Sequence, residues 1–128
     1  GAVHGFSGVI GGMYRAPHGA VCAALLPHVM AANHRALQAR VPESPLAVRY
    51  DEVARLLTGN PAARAADGVA WVAQLAADLQ IPLLASYGVQ PDAVARIVEQ
   101  AQKSSGMKAN PVELTADELA DILRRALG

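Results

Sequence analysis

The chain has 128 residues, 52% of them hydrophobic and only 17% charged, which excludes a disordered or polar-tract protein and sets one domain as the starting expectation. Aromatic residues make up 4%, so the apolar mass is Ala, Leu and Val, a composition that suits packed helices better than sheets. Eleven basic residues balance eleven acidic ones, and this neutrality gives no electrostatic footprint for nucleic acid or an anionic membrane. The single cysteine, Cys22, has no internal disulfide partner and no secretory signal is visible, so a cytoplasmic location is expected. The best candidate for a membrane span, Ala20 to Ala32, is short, contains Pro27 and His28, and reads as a buried helix.

A first helix is expected from about His4 to Tyr14. Gly5, Gly8, Gly11 and Gly12 would leave a bare backbone stripe along it, suited to close approach by another helix. No strand precedes this stripe and no Walker lysine follows it, which argues against a phosphate loop. Arg15, Ala16 and Pro17 break the chain. A second helix then runs from His18 to about Ala39, with Val21, Leu25, Val29 and Ala32 facing inward and Pro27 as a kink.

After a connector from Val41 to Ser44, Pro45 opens a third helix with Leu46, Tyr50, Val53 and Leu57 on one face, and Gly59 ends it. Asn60 and Pro61 read as the N-cap and first residue of a fourth helix reaching about Leu79, with Ala65, Val69, Val72, Leu75 and Leu79 as its buried stripe. A short turn near Leu84 stops at Gly88, and Pro91 begins a helix that turns Val94, Ile97 and Val98 inward. Ser104 to Asn110 is a looser segment. Thr115 with Glu118 forms a capping box, and Leu114 with Leu119 a hydrophobic staple, for a last helix burying Leu119, Ile122, Leu123 and Ala126. The expectation is an all-α fold, a compact multi-helix domain spanning residues 2–128 with no sheet.

His4 and His18 stand on consecutive helices joined by a Pro-containing turn. Two imidazoles so placed can face one site and are borderline ligands for Fe, Zn or Ni. Spacing alone leaves helix-cap and core roles open for both. His28, beside Pro27, reads as a partner for the helix kink, and His34, between Asn33 and Arg35, as a solvated residue. Cys22 has apolar neighbours and reads as a small core residue. Trp71 is expected at the edge of its helix's stripe. Lys103 and Lys108 read as solvated, and Asp117, Glu118 and Asp121 as favourable charges at a helix N-terminus.

The run His4-Gly5-Phe6-Ser7-Gly8-Val9-Ile10-Gly11-Gly12-Met13-Tyr14-Arg15-Ala16-Pro17-His18-Gly19 resembles the C-terminal half of the iron-containing alcohol dehydrogenases, where a histidine-led glycine-rich helix precedes a Pro-His-Gly turn. The resemblance continues through Leu25-Leu26-Pro27-His28 and reaches Asn110-Pro111, Leu114-Thr115 and the closing helix, so it covers essentially the whole chain.

That resemblance implies a helical domain holding a divalent metal, Fe or Zn, that acts as a Lewis acid on an alcohol or carbonyl oxygen while hydride moves to or from NAD(P). His4 and His18 match two of the family's metal ligands. An aspartate and a third histidine come from an earlier helix that is not in this sequence, nor is the dinucleotide-binding domain. Many members also carry a histidine one turn past the first, where this chain has Gly8. With half of the ligand set, the chain by itself is expected to bind metal weakly and to show no turnover. Relatives include maleylacetate reductases. Exposure of the first helix's face, including Phe6, Val9 and Ile10, would favour a homo-oligomer. The alternative reading is a non-catalytic stand-alone interaction or assembly module.

Overall fold

The computed structural model describes residues 1–128. The chain forms α1 (Ala2–Met13), α2 (His18–Arg40), α3 (Pro45–Thr58), α4 (Ala65–Asp78), α5 (Val94–Gln102), α6 (Ser105–Lys108) and α7 (Ala116–Leu127), with no strand. Short 3₁₀ turns at Leu84–Tyr87 and Pro91–Ala93 join α4 to α5. The fold is all-α, as expected.

The long helix α2 is the spine, contacted by α1, α3, α4 and α7, while α5 and α6 close over the far side of α1. Phe6 and Ile10 of α1, Val21 and Leu25 of α2, Ile97 of α5 and Ile122 of α7 lose all solvent exposure in one shared core. Each such side chain contributes about 1.5–3 kcal/mol through its removal from water. In α7 the sequence pattern and the fold agree fully: Leu119, Ile122, Leu123 and Ala126 are its buried residues. Its capping box is formed, with Glu118 N–H donating to Thr115 Oγ1 and Thr115 N–H to the Glu118 carboxylate, both at 3.2 Å. Arg40, at the end of α2, ion-pairs with Glu118 and so ties the spine to that cap.

In α3 and α4 the expectation is met at Ala65 and Val72, and the structure departs from it elsewhere. Their buried residues are Ala47, Ala54, Ala65, Gly68 and Val72, while Leu46, Val53, Leu75 and Leu79 are exposed. The cause is close helix approach. A Cβ on Gly68 would lie 2.9 Å from the Cα of Ala54, so only small residues fit along the contact and the larger ones are displaced to its flanks. Trp71 remains partly exposed, as an edge residue should.

The start of α4 is also later than Asn60 and Pro61 suggest. Asn60 Oδ1 instead accepts from Ala62 N–H at 2.9 Å, closing a local turn. The helix starts after Arg64, whose N–H donates to Asp67 at 2.8 Å, while Asp51 of α3 accepts from Ala65 N–H at 2.8 Å. A carboxylate from the neighbouring helix thus satisfies a donor that no local residue caps.

The glycines of α1 divide into two kinds. Gly5 is packed: a Cβ there would meet Met107 Cε at 2.9 Å, and one on Gly106 would meet Gly5 N at 3.2 Å. Gly8, Gly11 and Gly12 face open space. Phe6 and Ile10 point into the core, so α1 offers no apolar face made from them, and this argument for a homo-oligomer fails. Large exposed apolar side chains concentrate on α3 and α4 instead, Leu56 being 84% exposed. No helix is long and apolar enough to cross a membrane.

Candidate metal centre

Placement of His4 begins with the first turn of α1. The N–H of Ala2, an orphan donor at the helix start, is capped by Asn110 Oδ1 at 3.0 Å. The same oxygen accepts from Asn33 Nδ2 at 3.3 Å, and Asn110 Nδ2 donates to Asn33 Oδ1 at 2.7 Å and to the Val112 carbonyl at 2.8 Å. Two acceptor sites and two donor hydrogens of the Asn110 amide are therefore all used. Asn33 is only 3% exposed and Asn110 is half-buried, so this reciprocal amide pair is a largely shielded clamp joining α1, α2 and the segment before α7. Gly5, against Met107 and Gly106, fixes α1 from its other side.

His18 reaches the same place by a different route. Helix α1 ends at Met13, and the non-helical residues Tyr14 to Pro17 lead into α2, whose first residue is His18. Pro17, at φ −60° and ψ 130°, holds the extended geometry that a helix N-cap requires. A helix rises about 1.5 Å per residue, so His4 lies roughly 13 Å down α1 from Met13. The linking segment must run back along α1 to start α2 beside His4.

The rings of His4 and His18 come together, with centroids 5.3 Å apart and planes at 31°. This is the common site that the motif spacing suggests. Both rings are exposed, so further ligands can approach from outside the chain. Cys22, one turn along α2, joins them, its Sγ lying 3.5 Å from His18 Nε2. One donor atom each from His4, His18 and Cys22 falls within 4.8 Å of the others. The expectation that Cys22 is a core residue is corrected: it is half-buried and faces the histidines. Its apolar sequence neighbours obscured this, and the i, i+4 spacing from His18 was the available signal.

The other candidates stand apart from this cluster. Gly8 is open and brings no side chain to the site. His28 lines a cleft of about 200 Å³ with Pro27 and residues of α4, in place of a bond across the kink. Burial there lowers its pKa below 6.5, the Arg125 cation lowers it further, and Asp121 partly opposes them. His34 is half-buried, with its ring 6.5 Å from that of Tyr50. Burial raises the Tyr50 pKa, partly opposed by a hydrogen bond with Asn33. Lys103 ion-pairs with Glu99 at 3.2 Å, and Asp121 bridges Arg35 and Arg125 at 3.6 and 2.7 Å. Those roles are structural. Asn110 is the residue that motif reading left without a role; only its fully satisfied, half-buried amide reveals one.

Two imidazoles and a thiol converging from two rigid helices form a donor set that suits a borderline divalent cation. This helical architecture is that of the C-terminal domain of an oxidoreductase family. Residues 1–127 match the Fe-containing alcohol dehydrogenase family, C-terminal, and the chain belongs to that family. It is 32% identical over 114 residues to choline dehydrogenase of Bacillus subtilis, covering 89% of this chain and 27% of that protein. It is 33% identical over 132 residues to 1,3-propanediol dehydrogenase of Klebsiella pneumoniae, covering 98% of this chain and 32% of the relative. The crystal structure of a 1,3-propanediol oxidoreductase superposes with a TM-score of 0.82 at 30% identity, over 98% of this chain and 32% of that one. The chain thus spans about a third of the length of the relatives it matches.

Proposed function

We propose that His4 and His18 hold one divalent metal, Fe or Zn, as this chain's contribution to an NAD(P)-dependent oxidoreductase acting on an alcohol or aldehyde. In this reading the dinucleotide is bound by a segment outside these 128 residues, and so is the remainder of the metal's ligand set. The convergence of the two imidazoles, centroids 5.3 Å apart, carries the reading. When bound, the metal supplies Lewis acidity toward the substrate oxygen.

The chain's own residues do the positioning. Asn110 and Asn33 anchor the first turn of α1, and Pro17 presets the first turn of α2, so both rings are held by rigid elements before any ion arrives. Gly8 leaves open space one turn past His4 and offers no imidazole, so proton transfer at that position falls to water or to a group outside this chain. The exposed rims of both rings leave the outward side free for substrate and the remaining ligands.

Calorimetric titration with Zn²⁺, and anaerobically with Fe²⁺, tests the proposal. One equivalent should bind, and His4→Ala or His18→Ala should each weaken binding by at least about tenfold. Binding that is indifferent to both substitutions would refute it.

A further inference from the structure

A pocket of about 340 Å³ opens between the end of α5, α6 and the segment leading into α7, and no histidine lines it. We infer that it binds a free aliphatic α-amino acid, with the side chain inward and the two charged groups at the rim beside Lys108 and Glu113. The pocket takes no part in the histidine pair, so this inference goes beyond the proposed function and does not depend on it.

The interior favours an apolar group. Met107, Val112, Leu114 and Leu119 line it, the two leucines being buried. Asn110 also lines it, but its amide already commits both acceptor sites and both donor hydrogens to Ala2, Asn33 and Val112. A polar ligand group placed there would lose water without gaining a partner. The walls are also set before a ligand arrives. Met107 packs on Gly5, and the Glu113 carbonyl accepts from Arg40 Nη1 at 2.9 Å. Such preorganisation lowers the cost of binding.

The rim favours two opposite charges. Lys108 and Glu113 are exposed, and neither enters an ion pair within the chain, whereas Lys103 and Glu118 both do. A lone carboxylate drawn to Lys108 meets a like charge in Glu113, and a lone amine drawn to Glu113 meets one in Lys108. A zwitterion satisfies both side chains and adds no net charge. Gln102, also exposed on the rim, offers an amide that can donate or accept. The volume limits the ligand's size, because it lies near the lower end of the range for small-molecule sites, roughly 300–1,000 Å³.

L-leucine is the probe, titrated into the full chain at neutral pH without metal, with the three methionine methyls labelled with carbon-13. The Met107 signal should shift saturably, while those of Met13 and Met30, outside the pocket, stay in place. Isocaproate and isoamylamine keep the aliphatic group but carry only one charge each, and should bind about three- to fivefold more weakly. Lys108→Gln and Glu113→Gln should each weaken leucine by a similar factor, with circular dichroism unchanged because both side chains are exposed. Lys108→Glu should reverse the order, so that the amine binds better than leucine. A Met107 signal indifferent to leucine, or equal shifts at all three methionines, would overturn the inference. So would a singly charged analogue that binds the parent chain as tightly as leucine, or leucine binding that neither Gln variant weakens. With no metal in the sample, each of those results leaves the histidine pair standing.

Discussion

Two helical regions of this protein bury their surfaces by opposite means. In the assembly of α1, α2, α5 and α7, large apolar residues such as Phe6, Leu25, Ile97 and Ile122 interdigitate in a shared core. Where α3 and α4 meet, Ala54 and Gly68 line the contact, and Leu56, Leu75 and Leu79 are left to solvent. The first region therefore draws stability from apolar area, the second from close backbone approach. The histidine corner is built on the first. A metal site needs donors held within fractions of an ångström, and α1 and α2 supply that rigidity through the largest buried side chains in the molecule.

The contrast is broken most forcefully by truncating one residue on each side. Phe6→Ala should cost about 3–5 kcal/mol in urea denaturation, whereas Leu56→Ala, 84% exposed, should stay within about 0.5 kcal/mol. Equal losses would remove the distinction. Asn110→Ala leaves the buried Asn33 amide and the Ala2 N–H without their partner, and should cost about 1–3 kcal/mol. It should also loosen metal binding, because the first turn of α1 carries His4. Unchanged metal affinity in that variant would show that the amide clamp does not position the ring.

A pair of glycine substitutions sharpens the same comparison through the sign of the effect. Gly8→Ala meets open space and should stabilise α1 by about 0.5–1 kcal/mol. Gly68→Ala drives a methyl group to 2.9 Å from the Ala54 backbone and should destabilise by about 1–3 kcal/mol despite the better helix propensity. Thermal unfolding of both variants reads the two signs directly.

A smaller effect is expected from His28, in the cleft between the two regions. Its pKa in the fold is lowered from 6.5, chiefly by burial and then by Arg125, so below that pH the unfolded chain binds the proton more readily than the folded one. Stability contributed by keeping the ring neutral is present above pH 6.5 and is lost as the pH falls toward the folded value. Urea midpoints should fall on acidification through this window, and His28→Gln should flatten part of that slope. A slope unaltered by His28→Gln would assign the acid sensitivity to other groups.

What could be read from the sequence follows the same division. In α7, periodicity, capping box and staple all derive from local chemistry, and the structure matches them residue by residue. In α3 and α4, periodicity marks Leu46, Val53, Leu75 and Leu79 for burial, yet the partner helix comes so close that only Ala and Gly fit. Similarly, Asn60 and Pro61 carry a strong helix-start signal, but Asp51 on another helix satisfies the first donor of α4 and sets the start near Arg64. Those outcomes depend on tertiary neighbours, which a linear pattern does not contain. At the histidine corner, the motif located His4 and His18. Cys22 and Asn110 emerged only once α2 and the segment before α7 had been placed in space.

The central claim, that His4 and His18 act on one ion, is tested most directly by nitrogen-15 NMR of the histidine imidazoles during a Zn²⁺ titration. The account predicts that the ring nitrogens of His4 and His18 shift together and reach their limit at one equivalent, while those of His28 and His34 do not follow. Shifts confined to one of the two rings, or rings that saturate at different equivalents, would contradict it.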